Sequence, residues 1–268
     1  MTGFESRGHL KSSLPQTVLI TGATGAIGSA LALAYAAPGR TLVLHGRNAL
    51  RLKEVAQACE SRGARIETRA LDLRDIAALV AWLEEVASRR AVDLAIVNAG
   101  AISSLRPGTD GEAWQDIERV LDVNVRAAIA TVTALVPHMR RLGSGQIALM
   151  SSMSAYFGLP LAPAYSASKA ALKAYGEALR GWLAPEGVRV SVVLPGFVRS
   201  AMTDSLPMPK PFLMSPEDAA RRIQRGLARN EPRISFPFPL ALGCWMLSVL
   251  PPALSQHVLA LLKFNRRS

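Results

Sequence analysis

Unbroken apolar runs recur along this chain, each bounded by turn residues and followed by a helical pattern, and that alternation limits the fold more than any other feature. Thr17-Val18-Leu19-Ile20-Thr21 is the first run, and it breaks into Gly22-Ala23-Thr24-Gly25-Ala26-Ile27-Gly28. An Ala/Leu-rich helical pattern follows to about Ala37, and Pro38-Gly39 ends it before a second strand, Thr41 to His45. Helical stretches at roughly 48–62, 74–88 and 112–142 then alternate with strands at 64–71, 93–97 and 146–151. An Ala-rich helix over 167–179, a strand at 188–194, a helix near 216–229 and a last strand, Arg233 to Phe236, complete the pattern. Strands buried on both faces read as continuous apolar runs, and strand–helix alternation is the pattern of a parallel sheet wrapped by helices. The expectation is an α/β domain over residues 15–236, doubly wound, mostly parallel and Rossmann-like. Ligands should then lie at the carboxyl ends of the strands. A flexible lead-in of residues 1–14 and an apolar, basic tail of residues 237–268 are expected to flank it.

Composition removes several classes of function. Half of the 268 residues are apolar and 19% are charged, which fits one sizeable core rather than disorder. The net charge of +11 suits polyanions or anionic membrane surfaces. No basic run interleaved with aromatics appears, so nucleic acid is not expected as a partner. Cys59 and Cys244 stand far apart and belong to no metal-ligand spacing, so neither a disulfide framework nor a metal site is expected. A reducing, cytoplasmic compartment fits. Met1 to Leu14 lack the apolar core of a signal peptide.

The turns carry the chemistry. Gly22, Thr24, Gly25, Ala26, Ile27 and Gly28 form a strand–turn–helix junction, where small residues and free helix N–H groups admit a pyrophosphate. After the second strand, Arg47 and Asn48 stand where a carboxylate would mark NAD. A guanidinium suits the 2′-phosphate of NADP, so NADP(H) is expected over NAD(H); the bland alternative is a solvated arginine at a helix start. Asp72-Leu73 ends the third strand, where a carboxylate can accept from an adenine amino group. Asn98-Ala99-Gly100 ends the fourth, where small residues permit close approach and the Asn can brace the loop. Plain turn chemistry explains each equally well.

Tyr165 and Lys169 are four residues apart, so on a helix they share a face, and a neighbouring ammonium favours the phenolate over a phenol of ordinary pKa near ~10. Ser152, at the end of the fifth strand, can donate to a carbonyl oxygen as charge gathers on it. Asn124, in the preceding helix, can hold a water behind the lysine. Pro195, Gly196, Val198 and Ser200 follow the sixth strand, where backbone and hydroxyl groups can meet a nicotinamide amide.

In this order, from about Thr17 to Phe236, these motifs resemble the short-chain dehydrogenase/reductase family. The resemblance implies Ser152, Tyr165 and Lys169 as a catalytic triad and Asn124 as the end of a proton relay. It makes Tyr165 the general acid in carbonyl reduction and the general base in alcohol oxidation, with Lys169 holding the nicotinamide ribose. It places Asp72, Asn98, Gly100, Val198 and Ser200 at cofactor contacts, and implies a small carbonyl or alcohol substrate and a homo-oligomer. Ala26 departs from the shorter members' glycine pattern, and the spacing of Gly22, Gly25 and Gly28 is similar to the sugar-nucleotide-modifying branch. Chain length, Asn98-Ala99-Gly100 and Asn124 favour the shorter branch. An epimerase or dehydratase, or a non-catalytic cofactor-binding protein, are the alternatives.

Residues 201–214, with three prolines and three methionines, read as an adaptable apolar flap; with Phe157, Leu159, Leu161 and Phe197 they point to a lipophilic or bulky substrate, or to a flap that only shields a nicotinamide from water. The stretch from Pro232 has four Lys/Arg and no acid. Its apolar run, Leu240 to Leu250, is too short to span a bilayer and is broken by Pro251-Pro252. A second apolar helix, about 253–264, follows, with Lys263, Arg266 and Arg267 at its end. Such a tail packs on its own domain or a sister subunit, or lies in the plane of a membrane as a peripheral contact. Packing is the expectation.

Overall fold

The computed structural model describes residues 15–103, 111–206, 208–262 and 264. The lead-in of residues 1–14, Pro207 of the flap and the cations Lys263, Arg266 and Arg267 lie outside the described residues.

The apolar runs form β1 (Thr17–Thr21), β2 (Thr41–Gly46), β3 (Arg65–Ala70), β4 (Leu94–Val97), β5 (Gly145–Met150), β6 (Val188–Pro195) and β7 (Arg233–Phe236). They make one sheet in the order β3-β2-β1-β4-β5-β6-β7, with every neighbouring pair parallel. All residues of β1, β4 and β5 are buried, as strands covered on both faces must be. β3 is the exception: its Arg65-Ile66-Glu67-Thr68-Arg69-Ala70 sequence alternates, and it forms a mostly exposed edge whose charges discourage further pairing.

Helices cover both faces. One apolar layer is built from Leu31 and Tyr35 of α1 (Ala26–Tyr35), Leu52 of α2 (Ala49–Glu60), and Ile223 and Leu227 of α8 (Pro216–Ala228). The other takes Leu79 and Leu83 of α3 (Ile76–Arg89), Leu135 and Met139 of α5 (Ala127–Leu142), and Leu172 and Leu179 of α6 (Pro163–Leu183). Each fully buried side chain of this kind contributes about 1.5–3 kcal/mol.

The long helical region expected at 112–142 is not uniform. α4 (Trp114–Leu121) passes through one π-turn, Asp122–Arg126, before α5 continues it. Such a turn widens the helix locally and often marks a functional site; here it carries the fully buried Asn124. The flap after β6 contains a single helical turn, α7 (Ala201–Asp204).

The strand register sets the site. Thr21 lies level with Val97, Val97 with Leu149, and Met150 with Val193. The chain therefore leaves β1, β4 and β5 at one edge, with the order reversing between β1 and β4, where a crevice opens.

The described tail folds back over this edge as α9 (Phe238–Val249) and α10 (Pro252–Leu261). Ser255 Oγ, buried between them, donates to Leu247 O at 2.8 Å. Leu240 lies so close to the loop after β6 that a side chain on Gly196 would meet its Cδ2 at 2.8 Å. Phe264 packs on the cluster of Leu161, Leu206 and Met208. The outer stripe Phe238, Leu242, Trp245 and Val249 is exposed.

Candidate active site

The glycine junction is built by mutual contact rather than by loose chain. Gly22 has φ +69, a left-handed value that favours glycine, and a Cβ there would sit 2.7 Å from Ala99 Cα. A Cβ on Gly28 would fall 2.2 Å from Gly22 O. Asn98 braces the turn, as its residue type suggests: Nδ2 donates to Thr21 O at 3.0 Å and to Gly22 O at 3.1 Å. His45, which the motif reading passed over, braces it from below. Its Nε2–H is 2.9 Å from Leu71 O, leaving Nδ1 to accept from Gly22 N–H at 3.3 Å. Burial lowers its pKa, in keeping with a neutral ring in that role.

α1 starts with no side-chain cap at Gly25 and no acid in its first turn, so its N–H groups and dipole face the adjoining cleft. That cleft, of about 420 Å³, is lined by Thr24, Gly25, Ala26, Ile27 and Gly28, by Asn98 and Gly100, and by Ser152, Tyr165, Lys169, Pro195, Gly196, Val198 and Ser200. The residues fit a dinucleotide: free helix donors for phosphate at one end, hydroxyl and ammonium groups at the other. Ala26 is the first residue of α1 and lines the cleft without closing it.

Several of the other expected contact residues also make contacts within the protein. Gly22 and Ala99 shape the turn from behind. Asn48 caps α2, accepting from Arg51 N–H at 3.0 Å. Leu73 is a core residue. Asp72 is held by Arg74, whose Nη2 is 2.6 Å from Oδ2, and this pairing lowers its pKa. Arg47 is exposed at the end of β2. Arg51, in the first turn of α2, lines the cleft, and the sequence reading passed over it. Ser200 caps α7, accepting from Thr203 N–H at 3.1 Å.

Pro163 opens α6 in the position where a missing N–H costs nothing, and Glu112 Oε2 accepts from Ala164 N–H at 3.0 Å. The helix thereby presents Tyr165 and Lys169 on one face. Lys169 is buried, its Nζ 5.6 Å from the Tyr165 ring centroid and donating to Met150 O at 2.8 Å. Ser152, just past the end of β5, lines the same cleft as Tyr165, and its hydroxyl acts to lower the phenol's pKa.

The electrostatics correct the expectation from spacing. Burial raises the Tyr165 pKa, partly offset by the Ser152 hydroxyl, while burial pushes Lys169 down to about 8. Desolvation outweighs the ammonium's pull at this separation. Asn124 ties the loop after β4 to α6. Oδ1 accepts from Ala101 N–H at 2.7 Å, and Nδ2 donates to Ala101 O and Ser168 Oγ, each at 2.9 Å. Both amide hydrogens are used in this tie.

A second cavity, of about 380 Å³, meets the first at Ser152, Tyr165, Pro195, Gly196, Met202 and Thr203. Phe157, Leu159 and Phe197 line it, as do Met202 and Leu206 of the flap, whereas Leu161 is buried behind it. Its far wall comes from the tail, including Leu240, Gly243, Cys244, Leu247 and Leu259. Among the described residues no Asp, Glu, Lys, Arg or His lines it.

The family profile described as short chain dehydrogenase matches residues 16–210. The chain belongs to that family. This short-chain dehydrogenase is 34% identical over 240 residues to an uncharacterized oxidoreductase of Myxococcus xanthus, covering 88% of this chain and 93% of that one. Its fold is similar to the short-chain dehydrogenase from Sphingobium yanoikuyae in complex with NADPH. The TM-score is 0.76 at 27% identity, over 94% of this chain and 97% of that one. The bulky-bulky ketone specific alcohol dehydrogenase from Comamonas testosteroni gives a TM-score of 0.74 at 27% identity, over 95% and 96% of the two chains. The short-chain dehydrogenase is thus an oxidoreductase with the Rossmann-like fold of that family.

Proposed function

We propose that this enzyme interconverts a carbonyl and an alcohol on a lipophilic substrate, using NADP(H). The observation that carries the reading is the meeting of two unlike cavities at Ser152 and Tyr165: a polar one fit for a dinucleotide and an apolar one with no charged residue among its described lining residues. A bound nicotinamide supplies or accepts the hydride at the carbonyl carbon. In reduction, Ser152 and Tyr165 hold the carbonyl oxygen by hydrogen bonds, and Tyr165 gives it the proton that completes the alcohol. The phenolate left behind is stabilised by protonated Lys169; oxidation reverses each transfer.

The names of two neighbours support this: one binds NADPH and the other acts on bulky ketones. The sugar-nucleotide reading loses support, because among the described residues the second cavity offers no cation to a diphosphate. The non-catalytic reading leaves the joined Ser152–Tyr165–Lys169 set without a purpose. Incubation with NADPH and an apolar ketone should consume one NADPH per alcohol formed. An enzyme that recycles its cofactor would show no net consumption, and that result rejects the proposal.

Arg47 and Arg51 support the choice of NADP(H). A charge-assisted hydrogen bond is worth roughly 1.5–3 kcal/mol, so replacing both with Asp should cut the NADPH-over-NADH preference about a hundredfold or more. An unchanged ratio of kcat/KM values defeats the NADP assignment while leaving the ketone chemistry in place.

A further inference from the structure

Gly243 lies inside α9, where glycine is a poor helix former. No neighbour requires it: a Cβ built there meets nothing within 4 Å. Gly243 is solvent-accessible and is among the residues that line the apolar cavity. Leu240, Gly243, Cys244, Met246, Leu247 and Leu250 all line that cavity. At the helical step of about 100° per residue they fall on one arc of roughly 160°, with Gly243 near its middle. The exposed stripe of Phe238, Leu242, Trp245 and Val249 occupies the opposite side.

We propose that Gly243 is a specificity-determining position, whose missing side chain leaves room for the apolar body of a long or bulky carbonyl compound. The reacting end of that compound rests on the function proposed above; the placement of its body rests on the cavity alone. The size, about 380 Å³, lies within the range of roughly 300–1,000 Å³ usual for ligand pockets. Opposite the tail stand Phe157, Leu159 and Phe197, so hydrocarbon or ring surface meets apolar walls on both sides. A phosphate or carboxylate would lose its water there and meet no cation among the described lining residues, whose polar groups, Ser152, Ser154, Tyr165 and Thr203, are hydroxyls. Each methylene that leaves water for such a cavity improves binding roughly fourfold. Selectivity should therefore climb with substrate length until the space beside Gly243 is full.

The test compares the full-length wild type with Gly243→Phe and Gly243→Leu. NADPH oxidation is followed for methyl ketones from butanone to dodecanone, and binding of Nile red, a neutral apolar dye, is measured without turnover. Wild-type kcat/KM should rise along the series. Both variants should lower the dodecanone-to-butanone ratio about tenfold or more and weaken Nile red binding comparably. Leucine favours the helix, so Gly243→Leu serves if the phenylalanine variant does not fold. A ratio and dye affinity within about twofold of wild type in a folded variant overturn the proposal. If wild type reduces no ketone, the function proposed above fails, and the dye comparison alone decides the role of Gly243.

Discussion

Tyr165→Phe is expected to lower ketone turnover by about 10²–10⁴-fold, the usual contribution of a positioned general acid. NADPH affinity should change little, because phenylalanine keeps the ring and removes only the hydroxyl at the junction of the two cavities. The loss should appear in kcat more than in KM, since the proton is needed as charge develops on oxygen rather than when substrate binds. Burial holds the phenol above its ordinary value, with Ser152 the counterweight. The hydroxyl is therefore protonated throughout the neutral range, ready to donate in reduction. For alcohol oxidation the same group must first lose its proton, so the oxidative rate should increase with pH well into the alkaline range. Turnover of Tyr165→Phe within tenfold of wild type, measured with saturating NADPH, would remove Tyr165 from the proton transfer.

The sequence made the sheet legible because its central strands had little freedom to look like anything else. Val18-Leu19-Ile20 and Leu94-Ala95-Ile96-Val97 are buried on both faces and show as uninterrupted apolar runs. The glycine junction was legible for a similar reason, since Gly22 and Gly28 leave space that a side chain would fill with a clash. What stayed hidden depends on burial and on long-range contact. No local signal in Asp122-Val123-Asn124-Val125-Arg126 announces a π-turn, which arises where the helix accommodates the bonds from Asn124 to Ala101 and Ser168. The tail hid its role because nearly every residue from Leu240 to Leu250 is apolar. A helix apolar all round gives no stripe to separate the side facing the cavity from the side facing away. Spacing put Lys169 beside Tyr165 but could not show that both are desolvated, so it misjudged the direction of the phenol's shift.

Lys169→Met should abolish measurable ketone reduction and, at pH 7, stabilise the ligand-free protein. An ammonium whose pKa falls from 10.5 to about 8 on folding is held charged at pH 7 at a cost of about 3 kcal/mol. The folded state has the lower pKa, so between about 8 and 10.5 the unfolded chain binds more protons, and stability rises with pH across that window. Below the window the full cost remains, and above it both states are neutral and the cost is gone. Methionine fills similar space without charge, but it leaves Met150 O without the 2.8 Å bond from Nζ. That loss offsets about 1–3 kcal/mol of the gain. The net stabilisation at pH 7 should therefore be modest, about 1 kcal/mol, and should shrink and reverse by pH 10 as the wild-type lysine sheds its proton. Urea unfolding of the two proteins from pH 7 to 10 reads this directly. A stability gap that stays constant with pH would mean that Lys169 is not strained by burial, and its retention would then owe nothing to a charge needed beside the Tyr165 phenolate.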